Sequence, residues 1–198
     1  MSMSVTQKAA PDRRAEVLVV GAGPAGIGAA CAAARAGAQV LLLEQAGYPG
    51  GVATNCCCPY LMGYGLGGRQ VCGGVADELV RELDRLGQAR FLRHPDQVTE
   101  TEPIGDRPLL DSVVTSVEGV RVAARRLLYR HGVRCLHYAT LTGAVVEGRH
   151  MIAITVQALE GPLTLSAEAF VDATGDALLV KLAGGAVREY PAEQTMTK

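Results

Sequence analysis

Tryptophan is missing from this chain and phenylalanine nearly so: 198 residues contain no Trp, two Phe and six Tyr. A core without large rings has to be filled by Val, Leu, Ile and Ala brought to close approach. An excess of either charge is also lacking, since 19 Lys plus Arg meet 20 Asp plus Glu for a formal net charge of -1. That balance excludes an electrostatic footprint on nucleic acid or on an anionic membrane. The six cysteines include no Cys-x-x-Cys pair, and with 48% apolar residues the chain has no need of a secreted disulfide framework. A reducing compartment, the cytoplasm, is the expectation. A long unbroken apolar run is lacking too. Val17 to Ala34 is uncharged and follows Arg13 and Arg14, superficially a signal peptide or spanning helix, but Gly21, Gly23, Gly26, Gly28 and Pro24 divide it.

Glycine is what the chain has in quantity, 24 residues beside 9 Pro, with no three-residue period. The length fits one globular domain. Residues 1–15 read as a mobile tail. Glu16 to Val20 reads as a strand buried on both faces, Pro24 or Ala25 to Ala36 as a slim Ala/Gly helix closed by Gly37, and Gln39 to Glu44 as a second buried strand. Together they form a βαβ unit. Gln45 to Gly68 contains no charged residue and reads as an ordered loop. Val75, Leu79, Leu83 and Leu86 recur at helical spacing up to Gly87; residues 88–110 read as a polar surface excursion. A second amphipathic helix is marked by Val113, Val117, Val120, Ala124 and Leu127 and ends near Gly132. The period then changes to that of strands: 133–138, 141–147, 151–159 and 163–169, an antiparallel meander feeding a last strand, Phe170 to Ala173, with a short helix from Asp176 to Leu182.

The sharpest signal is Gly21-Ala22-Gly23-Pro24-Ala25-Gly26, placed after a strand and opening a helix, with Glu44 ending the next strand. In that context the pattern is a dinucleotide fingerprint. Gly21 permits the tight turn, Gly23 lets a pyrophosphate approach, and Gly26 lets helix and strand pack. The helix start at Pro24 and Ala25 presents the positive end of its dipole to phosphate. Glu44, followed by Gln45, suits the ribose hydroxyls and repels a 2′-phosphate, which argues against NADP. NAD and FAD share the fingerprint. A second glycine pair, Gly50 and Gly51, and the late segment Asp172-Ala173-Thr174-Gly175-Asp176 favour FAD, the last placing Asp176 near the ribityl or pyrophosphate region.

With VVGAGPAGIGAA, LLLEQ, GYPGGVAT and VDATGD in that order from about Glu16 to Gly185, the chain resembles the FAD-dependent oxidoreductase family among the two-dinucleotide-binding-domain flavoproteins. The resemblance implies an α/β fold: a Rossmann-like FAD-binding domain with a parallel sheet and a small antiparallel β-meander, incomplete relative to full-length flavoproteins. That domain is expected over 16–185, with a helical excursion at 73–131, and 186–198 is expected to lead towards a missing substrate domain. By resemblance, Gly21, Gly23, Gly26, Glu44, Gly50, Gly51 and Asp176 are FAD contacts, and Thr54 lies near the isoalloxazine. The expected activity is removal of a hydride from a carbon next to N or O of a small organic substrate. The chain is expected to act with a second polypeptide, a separate subunit or a cleaved C-terminal part, that completes the flavin and substrate site. Two other readings stand beside it: a non-catalytic dinucleotide-binding or electron-transfer module, and an NAD-binding, thiazole-synthase-like protein.

Cys56, Cys57 and Cys58 with Cys72 invite a metal reading, but three adjacent residues cannot all aim at one ion in an extended segment, and no metal is expected. Packing beneath the cofactor is the preferred role; Cys31 and Cys135 fall in apolar runs and read as core. No catalytic base stands out. His94, His131, His137 and His150 read as surface or structural, and Tyr60 and Tyr64 either face a substrate or anchor the glycine-rich loop. Most of the charged residues from Asp77 to Arg130 read as the solvated faces of two helices.

Overall fold

The computed structural model describes residues 14–66, 69–92 and 112–188. Residues 1–13 of the expected tail, His94, most of the polar excursion and the final stretch from 189 lie outside them. The described residues open with β1 (Arg14–Val20), which begins two residues earlier than its apolar run suggests. The helix α1 (Pro24–Arg35) follows, then β2 (Val40–Leu43), and β1 and β2 pair in parallel as the βαβ reading requires.

The main sheet has six strands, completed by β8 (Arg134–Leu136), β9 (Thr140–Glu147), β10 (His150–Ala158) and β11 (Gly161–Asp172), in the order β8-β2-β1-β11-β10-β9. The expected last strand is not a separate element. β11 runs unbroken for 12 residues, antiparallel to β10 from Gly161 to Ser166 and parallel to β1 from Ser166 to Asp172. One strand therefore welds the meander to the parallel half of the sheet. Residues 163–169 and 170–173 look distinct in sequence because burial changes along the strand as its partners change.

Successive residues of β1 and β2 serve opposite cores, as strand geometry dictates. Val19, Val40 and Leu42 pack with Ile27, Ala30, Cys31, Ala124, Leu127 and Leu128 on the helical face. Leu18, Val20, Leu41 and Leu43 pack on the other face with Leu141, Ile154, Val156, Leu165 and Leu179 from the meander and from the last helix. Having both faces covered explains the uniformly buried VLLL of β2.

The loop from Gln45 onwards holds more regular structure than its glycines suggest: a single helical turn α2 (Val52–Asn55), β3 (Tyr60–Met62) and the two residues of β4 (Gly65–Leu66), which pair with β5 (Arg69–Gln70). Helix α3 (Val75–Arg85) is followed by β6 (Arg90–Leu92), and β7 (Ser112–Val114) joins β3 and β6 in a three-stranded antiparallel sheet. Val113 thus belongs to a strand, not to the second amphipathic helix. That helix, α4 (Val117–Arg130), begins after Ser116, whose Oγ accepts a hydrogen bond from the Gly119 N–H at 2.8 Å. The terminal α5 is confined to Leu178–Leu182.

The charged residues of α3 and α4 do not all face water. Glu82 is 3% exposed and accepts from Arg130 Nη2 at 2.7 Å, Arg126 Nη1 at 3.3 Å and Arg85 Nη1 at 3.3 Å. Beside it, Glu78 meets Arg35 Nη1 at 3.1 Å and His131 Nε2 at 2.7 Å. These pairs tie α1, α3 and α4 together across more than forty residues of chain, which no helical periodicity reveals. No helix among the described residues is long and apolar enough to cross a membrane.

Candidate functional site: a cradle of glycines at the sheet edge

The carboxyl ends of β1, β2 and β11 meet at one edge of the sheet, and the turns leaving them are built from backbone brought into contact. Gly21 has φ +100°, and a Cβ there would stand 2.5 Å from the Ala173 carbonyl oxygen. At Gly26 a Cβ would fall 1.7 Å from the Gly21 carbonyl oxygen, so the first turn of α1 is pressed onto the end of β1. Gly23 differs. Its added Cβ would find nothing nearer than the Gly51 Cα at 3.8 Å, so this position opens onto free space between the two glycine segments. The residue types agree with the three roles read from the fingerprint, tight turn, open approach and close packing.

The second glycine pair is joined to the first. Gly50 N–H donates to the Ala22 carbonyl at 2.8 Å, and a Cβ on Gly51 would lie 2.7 Å from the Gly23 Cα. Gly51 has φ +55° and ψ -126°, a conformation that side chains disfavour. Thr54 is 1% exposed and its hydroxyl lies 3.3 Å from the Pro49 carbonyl and 3.2 Å from that of Gly51. Its side chain is turned into the loop and holds the glycine pair in place.

Glu44 stands at the end of β2, 6% exposed, with Oε2 accepting from the Ala22 N–H and Oε1 from the Ala46 N–H, each at 2.8 Å. A carboxylate has about four acceptor sites, so two remain for hydroxyl donors. The same two bonds fix the first glycine loop against the loop after β2. Pro24, Ala25, Gln45 and Asp176 are exposed around this edge, and α1 follows Gly23 with no side chain capping its first turn. Backbone N–H groups and a helix dipole of this kind suit an anionic diphosphate. An added side chain at Gly23 would fill the space a pyrophosphate needs, so the residues present fit a dinucleotide.

Asp172, the first residue of the Asp172–Asp176 segment, organises the third turn. Its Oδ1 accepts from the Thr174 N–H at 3.0 Å and from Thr174 Oγ1 at 2.7 Å, and its Oδ2 accepts from the Val180 N–H at 3.0 Å. Burial works to raise its carboxyl, but these bonds outweigh burial and hold it below the usual carboxylate range. The sequence signal was present: an acidic residue two before a threonine in a glycine turn is the pattern of a side chain closing on its own backbone.

The other sequence candidates scatter. Cys56, Cys57 and Cys58 are all exposed, with Cys57 at φ +52°, and Cys135 is exposed as well, not in the core. Cys31 alone is buried, and burial pushes its thiol up to about 11. Tyr64 is a loop anchor, its hydroxyl donating to Asp77 Oδ1 at 2.7 Å, whereas Tyr60 lies exposed on β3. His150 is exposed at the start of β10 and His131 is engaged by Glu78. His137 lines a groove of about 620 Å³ between α4, β8 and the loop at Gly47–Pro49, with Arg121 stacked 3.7 Å over the Tyr48 ring. Burial lowers the His137 imidazole, and its Nδ1 has no partner. None of the expected cofactor residues lines this groove.

Among solved structures the fold is similar to that of Thermovibrio ammonificans THI4, with a TM-score of 0.54 at 20% identity, over 85% of this chain and 61% of that one. It is similar also to a geranylgeranyl bacteriochlorophyll reductase-like protein of Thermoplasma acidophilum, with a TM-score of 0.57 at 19% identity, over 87% of this chain and 42% of the other. In sequence, 151 residues are 31% identical to the tRNA uridine 5-carboxymethylaminomethyl modification enzyme MnmG of Dichelobacter nodosus, 72% of this chain and 21% of that protein. A further 80-residue match at 41% identity, 40% of this chain and 15% of the relative, is to the menaquinone reductase of Mycolicibacterium smegmatis. The chain thus spans between about a seventh and a fifth of these curated relatives. The sequence pattern that defines the FAD dependent oxidoreductases matches residues 16–197, from the first strand through the Asp172 turn, and the chain belongs to that family, with FAD as its cofactor.

Proposed function

We propose that this chain is the FAD-binding part of an oxidoreductase that removes a hydride from a carbon next to N or O of a small organic substrate. The observation that carries the reading is the open space at Gly23, bounded by Gly51 and set beside the two unused acceptor sites of Glu44. When bound, FAD supplies the redox chemistry. The chain's own residues bind and orient. Glu44 receives the ribose hydroxyls, Gly23 and the start of α1 receive the diphosphate, and Gly50 and Gly51, held by Thr54, set the direction in which the rest of the cofactor leaves.

The site is completed, in this reading, by a second polypeptide, either a separate subunit or a cleaved C-terminal part. Support comes from apolar side chains beyond the second glycine pair: Val52 on α2 is 60% exposed, Met62 on β3 76%, and Val71 after β5 59%. Exposed apolar groups on consecutive elements favour association. All six cysteines are free, which supports a reducing, cytoplasmic setting.

The test is titration of the purified chain with FAD, ADP and NAD, followed by flavin fluorescence and calorimetry. FAD and ADP should bind and NAD should bind far more weakly. Gly23→Val should abolish FAD binding while leaving the circular dichroism spectrum of the chain unchanged. Retention of a full complement of flavin by that variant would move the cofactor elsewhere. Sedimentation of the FAD-loaded chain tests the partner: a monodisperse monomer that oxidises amine or alcohol substrates at full rate would remove the need for one.

A further inference from the structure

Asp172 pairs with Val20 in the parallel ladder, so it sits beside the last residue before the first glycine turn. Its neighbour Ala173 donates its N–H to the Val20 carbonyl at 2.9 Å, and the Ala173 carbonyl occupies the space that a Gly21 Cβ would need. The first and third turns of the cradle are thus in backbone contact, and the position of one sets the position of the other.

The third turn has little reason to hold this shape by itself. Gly175 has φ +86°, and Ala177, which carries a Cβ, is in the left-handed region at φ +53°. A non-glycine residue there is strained and persists only where its surroundings impose it. Asp172 and Thr174 impose it. Asp172 Oδ1 takes the N–H and the hydroxyl of Thr174; Thr174 Oγ1 accepts in turn from the Leu178 N–H at 3.0 Å, and Asp172 Oδ2 takes the Val180 N–H. The open N–H groups of the first turn of α5 are therefore captured by side chains four to eight residues earlier. Leu179, 1% exposed, plugs α5 into the core beside Leu18 and Val20. The carboxylate joins three things: the end of β11, the strained turn and a helix anchored in the core.

We propose that Asp172 is a positioning residue for FAD: with Thr174 as its relay, it locks the 173–177 turn against Gly21, so that the cradle is preformed before the cofactor arrives. The lock rests on the FAD reading given above and adds to it a residue that acts through the turn it holds. Its effect is preorganisation; without it, binding must first order the turn, and affinity falls by that cost. The low carboxyl pKa of Asp172 is consistent with a group held as the acceptor of several N–H and O–H donors.

Three variants of the full chain decide the matter. Asp172→Asn keeps the shape of the side chain but places one NH2 donor among donors. Thr174→Val keeps the carboxylate and removes the relay, and Thr174→Ser keeps the relay. FAD affinity, measured by flavin fluorescence, should fall about tenfold or more in Asp172→Asn and in Thr174→Val, as the loss of one charge-assisted bond implies. Thr174→Ser should stay within about twofold of wild type, and the double variant Asp172→Asn/Thr174→Val should lose far less than the product of the two singles, because both cut one network. The visible circular dichroism of bound FAD should change in the two damaging variants and not in Thr174→Ser, which general destabilisation would not arrange. Should Asp172→Asn fail to fold, the Thr174→Val and Thr174→Ser pair decides alone. Wild-type protein that binds FAD, with the damaging variants within twofold of it, overturns the lock and leaves the FAD reading intact; wild-type protein that binds neither FAD nor ADP overturns both.

Discussion

Glu44 and Glu82 are hidden to nearly the same degree, 6% and 3% exposed, and their carboxylates are satisfied in opposite ways. Glu82 is surrounded by three guanidinium groups from α3 and α4, which take three of its roughly four acceptor sites. Glu44 receives only two backbone N–H groups, from the loops on either side of it, and keeps acceptor capacity for something else. One is a closed ionic clamp between helices. The other is an open acceptor at the edge of a sheet, held by backbone that glycine alone allows to come so near. A buried carboxylate marks a binding site when its partners leave it unsaturated, and marks architecture when they do not.

The comparison can be broken from either side, and the effects on stability should descend in a definite order. Gly26→Val attacks the setting of Glu44. Its Cβ would stand 1.7 Å from the Gly21 carbonyl oxygen, so α1 has to move off β1. Denaturant unfolding should show a loss of at least about 3 kcal/mol, the upper range for overpacking, together with loss of FAD binding. Stability near wild type in this variant would mean that the helix and the strand are not in close contact.

Glu82→Gln comes next. Removing the charge leaves three arginines that are each about half exposed, so they can return to water and the cost should be about 2 kcal/mol, below the range for a fully buried pair. FAD affinity should not change. The pH dependence sharpens the point. The Arg130 hydrogen bond, working against burial and aided by Arg126 and Arg85, lowers the Glu82 carboxyl below the ordinary glutamate value. A depressed carboxyl contributes stability that is complete above the unfolded-state pKa and is lost as pH falls through the lower folded-state pKa. The stability gap between wild type and Glu82→Gln should therefore be constant at neutral pH and close on acidification below about pH 4.5. A gap that stays open at low pH would show that the clamp is packing and not charge.

Glu44→Gln should cost least in stability, and its effect should fall on binding. One amide NH2 would face either the Ala22 or the Ala46 N–H, a mismatch of about 1 kcal/mol. FAD affinity should fall at least about tenfold, since a charge-assisted acceptor for the ribose is lost. Equal FAD affinity in calorimetric titration would show that the ribose is held by other groups.

The difference between these two regions is also the difference between what could and could not be read. Gly21, Gly23, Gly26 and Glu44 were legible because each lies within one βαβ unit, where strand and helix periods dictate which residues meet at the end of the sheet. The Gly50–Gly51 pair stood out in the sequence, but its contact with Ala22 and Gly23 did not, because it is made across a loop of no period. Glu82 was misread as solvated because its arginine partners lie 44 and 48 residues away on α4. Cys135 was misread as core because its run is apolar, although β8 is the edge strand of the sheet and leaves this side chain exposed.

The sequence by itself determined the βαβ unit, the glycine fingerprint and the acidic residue that ends its second strand, because local sterics and strand periodicity act over a few residues and leave a direct trace in residue type. It also determined two amphipathic helices and a run of strands. Only the tertiary structure decided that β11 is one strand serving two partners, that Asp172 braces the first glycine turn from the far end of the chain, and that Glu82 is an internal clamp. The Glu82 clamp joins side chains 44 and 48 residues apart and the β1–β11 pairing joins strands 152 residues apart, and the free energy that selects such contacts comes from packing and burial of the whole sheet, which residue order alone does not display.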